Sequence, residues 1–416
     1  MRPSNSLLGS NILSVKSHNM RAILLSLLHN PSMSRVEIAE KLSLSNTTIT
    51  NLTAELIEQG IIVEEQITST EKRRRVGRPR IMLRLVPSAR YAVGVHIGIG
   101  TFRIAITNLF AEILHSEIGT FKLETHPEVV INSIIQGIQQ TIKAGKIEPD
   151  KIIGVGVGAS GLVNFETGIN VLAPRLDWEN VPIQQLMESQ LKLPVCVDNN
   201  VRAMALAEAL FGDGRGVGVL AFVYGRVGVG SGIVVNGQVF RGSGAGAGEI
   251  GHSIIVPDGG DACTCGNRGC LETLLSEPIW IQQAQRIAVK NPQGLVAQHL
   301  SAQDDRTQIE KIFSAARDGD EHILQFIEER ACFLGIALAN LINVLNPELI
   351  ILGGIFAQGS DLILPIAESK MREIAFARLG EKVQLKTTGF GWRAGVIGAA
   401  ALALTTYFYQ EIEGRL

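Results

Sequence analysis

Residues 249–272 hold the densest chemistry in the chain: Glu249-Ile-Gly-His252, ten residues, then Cys263-Thr-Cys265-Gly-Asn-Arg-Gly-Cys270-Leu-Glu272. Three of the five cysteines fall within eight residues, spaced C-x-C-x₄-C, with a histidine upstream. Glycines at 259, 260, 266 and 269 let the backbone turn tightly between them. One imidazole and three thiolates make a closed tetrahedral zinc set, His252, Cys263, Cys265 and Cys270. The alternative is a cysteine-rich turn with one disulfide, which a cytosolic chain disfavours. No coordination position is left for a substrate, so the expected metal is structural. Cys196 and Cys332 lie outside the motif and are expected to be free thiols.

This stretch closely resembles the sugar-site and zinc motif of the ROK family (repressors, open reading frames and sugar kinases). In that family the glutamates and the histidine hold sugar hydroxyls, and the same histidine ligates zinc. The resemblance implies that Glu249, His252 and Glu272 face a sugar, with Ser160, Gly161, Asn199 and Asn200 completing the sugar side. A metal-bound imidazole has one ring nitrogen fixed, which orients the other as a donor.

The elements that must position these residues begin with an N-terminal module of different character. Residues 1–86 carry 12 Lys and Arg against 7 Asp and Glu, although the whole chain has a net charge of -2. That asymmetry points to nucleic acid at the N-terminus. Residues 1–17 read as irregular, and an apolar stripe of Ile23, Leu24, Leu27 and Leu28 then predicts a helix that Pro31 ends. Ser34-Arg-Val-Glu37 is a capping box that starts a second helix. Ser45 caps a third, which runs to Gln59 and stops at Gly60. The third helix buries Ile49, Leu52, Leu56 and Ile57 and opens on a polar face: Asn46, Thr47, Thr48, Thr50 and Asn51. Two short helices, a tight turn and that polar face form a helix-turn-helix pattern. A helical bundle without a DNA role is the alternative; the family's regulators resemble this order of modules. Arg35 and Ser45 join the polar face as expected DNA contacts.

Ile61–Val63 and Gln66–Ile67 read as the strands of a wing. The run from Lys72 to Arg80 contains Gly77-Arg78-Pro79-Arg80, which its proline keeps extended. Such an arm suits an A·T-rich minor groove, so Arg78 and Arg80 are expected to clamp DNA; a solvated linker is the alternative.

From Tyr91 the chain turns β-rich. Strands are predicted at Tyr91–Ile99, Phe102–Asn108, Glu112–Ile118, Ile152–Gly158 and Pro194–Val197, with helices over Pro127–Ala144, Val181–Leu191 and Val201–Phe211. A second strand set follows at Val217–Val223, Val229–Val235, Gln238–Phe240 and Leu349–Leu352, with helices over Leu271–Leu345 and a last one near Ala394–Tyr407. Three strands with helical returns, occurring twice, predict two α/β lobes. The resemblance implies an α/β chain of winged helix-turn-helix (1–70), basic linker (71–88) and an actin-like (ribonuclease H-like) body of two lobes, 89–212 and 213–416, whose last helix packs back on the first lobe. At 46% hydrophobic and 19% charged, the chain can bury a large core. No apolar run reaches the roughly 18 residues that span a bilayer, and no signal segment is recognisable, so the expectation is a cytoplasmic protein with no membrane partner.

Three sites depart from the family's kinase pattern. The Asp-x-Gly-Gly-Thr of the first hairpin is replaced by His96-Ile-Gly-Ile-Gly-Thr101. The general-base aspartate of Asn-Asp is replaced by Asn200, and an amide accepts no proton at neutral pH. The second Gly-Thr-Gly phosphate loop reads Arg226-Val-Gly228. No catalytic residue is therefore assigned. The expectation is a sugar-responsive regulator acting on double-stranded operator DNA as a repressor, in a homodimer or higher homo-oligomer, with zinc as its structural metal. An active sugar kinase with an accessory DNA module is the rival, and a body that senses a partner protein is a third reading. Arg226 offers a donor fork that would suit a sugar-phosphate effector, against the simpler expectation that it meets solvent or an acidic neighbour.

Overall fold

A computed structural model of the protein describes residues 12–66, 81–244 and 246–409. The first of these ranges opens with α1 (Ile12–His29), so the helix begins six residues earlier than the apolar stripe alone suggests. A two-residue strand, β1 (Met33–Ser34), leads into α2 (Arg35–Leu42) and α3 (Asn46–Glu58). Both caps form as the sequence requires. Ser34 and Glu37 make a reciprocal capping box, and the Ser45 side chain accepts from the Thr48 amide. Met20, Ile23, Leu24, Leu27, Ile38, Ile49 and Leu56 are buried between the helices. The wing differs from the sequence reading. Its strands are β2 (Ile62–Gln66) and β3 (Ile81–Leu85), paired antiparallel with Val63 opposite Arg84. The return strand thus comes from the segment expected to be linker rather than from Gln66–Ile67. Leu83 and Leu85 point inward on alternate positions and are buried, the period-two pattern of a half-buried strand.

The body contains β4 (Tyr91–Ile97), β5 (Thr101–Thr107), β6 (Ile113–Thr120), α4 (Pro127–Gly145) and β7 (Ile152–Ala159). A small antiparallel sheet of β8 (Leu162–Asn164), β9 (Ile169–Ala173) and β10 (Trp178–Val181) follows. The sequence reading missed it, and it ends at Val181, where a helix was expected to start. Then come α5 (Ile183–Leu191), β11 (Val195–Asn199) and α6 (Asn200–Phe211). The next set is β12 (Val219–Gly225), β13 (Val229–Val235), β14 (Gln238–Phe240), α7 (Glu272–Leu275), α8 (Glu277–Lys290), α9 (Leu295–Ser301), α10 (Gln308–Arg317) and α11 (Glu321–Leu345). The chain closes with β15 (Leu349–Gly354), α12 (Ile355–Gln358), α13 (Ser360–Ile374), β16 (Gln384–Thr387) and α14 (Ala394–Leu404), extended by a wider turn over Thr405–Tyr409.

Two five-stranded sheets share one strand order. Counted within each set, the order is 3-2-1-4-5: β6-β5-β4-β7-β11 in one and β14-β13-β12-β15-β16 in the other. In both, the first three strands are antiparallel and the last two run parallel to the first. Each fifth strand feeds a helix, α6 or α14, that packs on the other sheet. Gly232 of β13 lies against the α6 backbone at Val201 and Arg202, and Gly94 and Gly156 of β4 and β7 lie against the α14 backbone. Where the two helices cross, Gly398 meets the backbone of Ala203 and Met204. A side chain at any of these glycines would collide with main chain, so each helix meets the opposite sheet, and the other helix, at backbone contact. Among the described residues, no helix is long and apolar enough to cross a membrane.

Candidate functional site

The loop from Glu249 to Glu272 is built as a double turn. Ala262 bridges Arg268, Ile254 bridges Cys270, and the Cys263 amide donates to the Asn267 carbonyl at 2.8 Å. Gly269, at φ +72°, holds a left-handed conformation against the Val256 carbonyl, where no side chain fits. The result gathers His252, Cys263, Cys265 and Cys270, whose ligand atoms all lie within 4.8 Å of one another. His252 turns Nδ1 toward Cys263 Sγ at 3.6 Å, and Cys265 Sγ lies 3.7 Å from Cys270 Sγ. Such a His/Cys set is geometrically compatible with chelating a metal. Cys196 is buried and free, and Cys332 is free and half-buried.

With Nδ1 turned to the thiols, His252 has Nε2 available to the remaining residues. Glu249, on the 3₁₀ turn's entry, has its carboxyl held above the usual range; partial burial is the main cause, opposed by His252 and Arg202 and assisted by Glu272. Glu272 opens α7 and is 8% exposed. Its Oε2 accepts from the Val229 amide at 3.1 Å, and its Oε1 from Arg175 Nη2 at 3.0 Å. Any side chain at Gly228 would press on that carboxylate, its Cβ falling 2.6 Å from Oε2.

The other four expected sugar-side residues meet at the start of α6. Asn199 caps that helix: its Oδ1 accepts from the Val201 and Arg202 amides, and its Nδ2 donates to the Gly161 carbonyl at 2.9 Å. Asn200 Nδ2 donates to Ser160 Oγ at 3.2 Å. Asn199 therefore spends its side chain on architecture, whereas Ser160 and Asn200 form a polar pair. Asp198, beside them, accepts from the Asn199 amide at 2.7 Å. It is fully buried and takes Arg202 Nε at 2.7 Å and Arg241 Nε at 2.8 Å, with the Arg241 guanidinium stacked 3.8 Å from the Phe165 ring. Sequence reasoning missed Arg175, Arg202 and Arg241, since their partners lie on different elements; only the i,i+4 spacing of Asp198 and Arg202 gave a local signal.

His96, which the resemblance aligns with an aspartate of the kinases, lies on β4 opposite Gly158 of β7. Its Nε2 is enclosed without a hydrogen-bond partner, and its ring packs on Gly395. Burial, with Arg226 and Arg103 nearby, lowers its pKa to about 4, so the imidazole is neutral at physiological pH. Arg226 lies at a groove lined by Glu277, Ile281 and Gln285, with Glu277 Oε2 3.7 Å from its Nε and its side chain 55% exposed. The acidic neighbour is the outcome the simpler expectation foresaw.

In the N-terminal module, Asn46, Thr47, Thr50 and Asn51 are exposed on α3. Thr48 is tied to the cap through Ser45 Oγ at 2.8 Å, and Thr50 Oγ1 donates to the Asn46 carbonyl at 2.8 Å. Thr47 and Asn51, one helical turn apart, are exposed with Asn46 on the same helix. Arg35 is held within the module by Thr53 Oγ1 at 3.0 Å and Glu64 at 2.7 Å. Arg78 and Arg80 lie outside the described residues.

Fold and site together define a DNA-binding module joined to a mixed α/β body with a metal-compatible loop. The ROK family model matches residues 92–406, and a winged helix-turn-helix DNA-binding model matches residues 16–63. The chain belongs to the ROK family. It is 29% identical to the xylose repressor of Caldicellulosiruptor bescii over 392 residues, 94% of this chain and 96% of that protein. It is 33% identical to the glucokinase of Halalkalibacterium halodurans, but that match covers 76% of this chain and 95% of the kinase. A solved ROK-family transcriptional regulator, a homologue of the E. coli MLC protein, superposes with a TM-score of 0.80 at 29% identity, covering 95% of this chain and 98% of that one. The similarity to regulators extends through the N-terminal module, and these relatives favour a non-catalytic regulator over an active kinase.

Proposed function

We propose that this protein is a sugar-responsive transcriptional repressor whose kinase-like body binds its effector without turning it over. The observation that supports the reading is one chain that joins a winged helix-turn-helix match over residues 16–63 to a ROK body in which Asn200, an amide at the position read as the general base, is bonded to Ser160. Ser160, Gly161, Asn200, Glu249, His252 and Glu272 would meet the ring hydroxyls; Asn199 would act by holding Asn200 and Gly161 in place. In this reading the two sheets of equal topology are the cores of two actin-like lobes. The effector closes them and changes the spacing of two recognition helices in a homodimer, through its unequal affinity for the two arrangements.

Zinc is the metal we assign to the His/Cys loop. Bonds of about 2.3 Å to sulfur and about 2.0–2.1 Å to nitrogen, at tetrahedral angles, require S···S near 3.8 Å and S···N near 3.6 Å. The observed 3.7 and 3.6 Å support that ion. When bound, it would pin His252 Nδ1 and so aim Nε2 at the effector. Loss of one ligand, as in Cys265→Ser, is expected to lower zinc content and effector binding together; elemental analysis and calorimetry check this.

DNA recognition is assigned to Thr47 and Asn51, with Asn46 and Thr50 beside them and Arg78 and Arg80 as phosphate or minor-groove contacts. The test selects duplexes from a random pool with the full chain, then titrates the complex with D-xylose, D-glucose and N-acetylglucosamine while following ATP consumption. The expected result is release of DNA by one sugar with no phosphoryl transfer. Sugar phosphorylation at ordinary kinase rates, or DNA binding indifferent to every sugar, would overturn the reading.

A further inference from the structure

Arg175, in the turn between β9 and β10, reaches the Glu272 carboxylate. It stands in a 3₁₀ turn, Pro174–Leu176, whose flanks are fixed: Ala173 and Leu176 are buried, and Trp178 just beyond is 1% exposed. The end of β9, which leads directly into this turn, packs on the Ser160-Gly161 corner, because a Cβ at Gly161 would sit 2.5 Å from the Leu172 carbonyl and 2.7 Å from Ala173 Cβ. From this anchored position Arg175 crosses 97 residues of sequence to donate to Glu272 Oε1 at 3.0 Å. Among the described residues the structure records no other hydrogen bond from this guanidinium, which carries five N–H donors. Glu272 likewise uses one acceptor direction on each oxygen, for Arg175 and for the Val229 amide. A carboxylate with a free lone pair beside a guanidinium with free N–H groups is a paired acceptor and donor, side by side. A sugar hydroxyl matches that pair, since it donates one hydrogen bond and accepts others.

We propose that Arg175 is a specificity-determining residue of the effector site: it fixes the Glu272 carboxylate, and the two side chains together read one ring hydroxyl, which donates to Glu272 and accepts from Arg175. The inference rests on the sugar-effector reading. A site built to bond a hydroxyl rejects the analogue that lacks it, because its polar groups are then left unpaired. Discrimination against one deoxy sugar is therefore the signature, and it should vanish with the guanidinium.

The experiment uses the full zinc-loaded chain and isothermal calorimetry with D-xylose, D-glucose and N-acetylglucosamine. For the sugar that binds wild type, each monodeoxy analogue is then titrated against wild type, Arg175→Ala and Arg175→Lys, with ligand-free melting temperatures measured in parallel. Wild type should bind one analogue at least tenfold more weakly than the parent sugar. Arg175→Ala should bind the parent at least tenfold more weakly and treat parent and analogue alike, and Arg175→Lys should recover part of the discrimination. If Arg175→Ala does not fold, Arg175→Lys carries the same test, with discrimination reduced against wild type as the expected result. Equal weakening for parent and analogue, so that discrimination is unchanged, would make Arg175 a purely structural tie and overturn the inference. Binding of none of the three sugars by wild type would overturn the effector reading itself and this inference with it.

Discussion

At the scale of single residues, the metal-compatible His/Cys cluster was the most legible feature, because His252 and the three cysteines are brought together by local turns. Arg175 was illegible for the opposite reason. Its partner Glu272 opens α7, 97 residues further on, a pairing that no local pattern announces, and Asn199, grouped with the sugar side by resemblance, also caps α6. His96 was singled out only as a missing aspartate; the structure gives it a physical consequence. Its folded pKa is about 4, against 6.5 in the unfolded chain, so between those values the unfolded state binds more protons. The stability that His96 contributes is complete above pH 6.5 and drains away as pH falls toward 4. The facing charges, Arg103 and Arg226, act in the same direction as burial. Replacing His96 with Asn should flatten the fall in stability between pH 6.5 and 4.5, an effect of at most about 3 kcal/mol. Urea denaturation at stepped pH measures it, and an unchanged slope would contradict the neutral, enclosed imidazole.

At the scale of elements, caps and apolar periodicity located α2, α3, α4 and the main strands to within a few residues. The second wing strand was misplaced because β3, Ile-Met-Leu-Arg-Leu, follows β2 only at residue 81, behind a basic run that reads as linker. The small β8–β10 sheet was missed because strands such as Trp178-Glu-Asn-Val181, buried only at its two ends, lack the period-two alternation that marks a strand. Within α3 the structure separates two kinds of polar residue. Ser45→Ala removes the acceptor of the Thr48 amide and should cost about 1 kcal/mol of stability. Thr47→Ala and Asn51→Ala touch only exposed positions and should leave stability within about 0.5 kcal/mol. Each should instead relax sequence preference by about 1–3 kcal/mol at one base pair. Competition binding between selected and single-substituted duplexes decides it; uniform preference in both variants would remove α3 as the reading helix.

At the scale of the whole molecule, the apolar core of the N-terminal module does not close on itself. Met20, Ile23, Leu24 and Leu27 belong to one continuous buried cluster with Leu206 and Leu210 of α6 and with Phe408 and Tyr409 beyond α14. The Tyr409 hydroxyl donates to the Leu109 carbonyl at 3.0 Å within it. Module and body should therefore melt together in a single calorimetric transition. Phe408→Ala, which vacates a side chain 4% exposed, should cost about 3–5 kcal/mol and split off the module as an earlier event. Two separate transitions in wild type would refute the shared core. The exchange of α6 and α14 between the two sheets carries a further consequence, for how the chain can be cut. Neither half owns the helix that seals its sheet, so a fragment ending after α6 would leave Gly94 and Gly156 without the backbone they were shaped to receive. Dissection into autonomous halves is closed to this architecture. Two fragments mixed during refolding can still reconstitute it, each lending the other its final helix, as complementary strands restore a duplex.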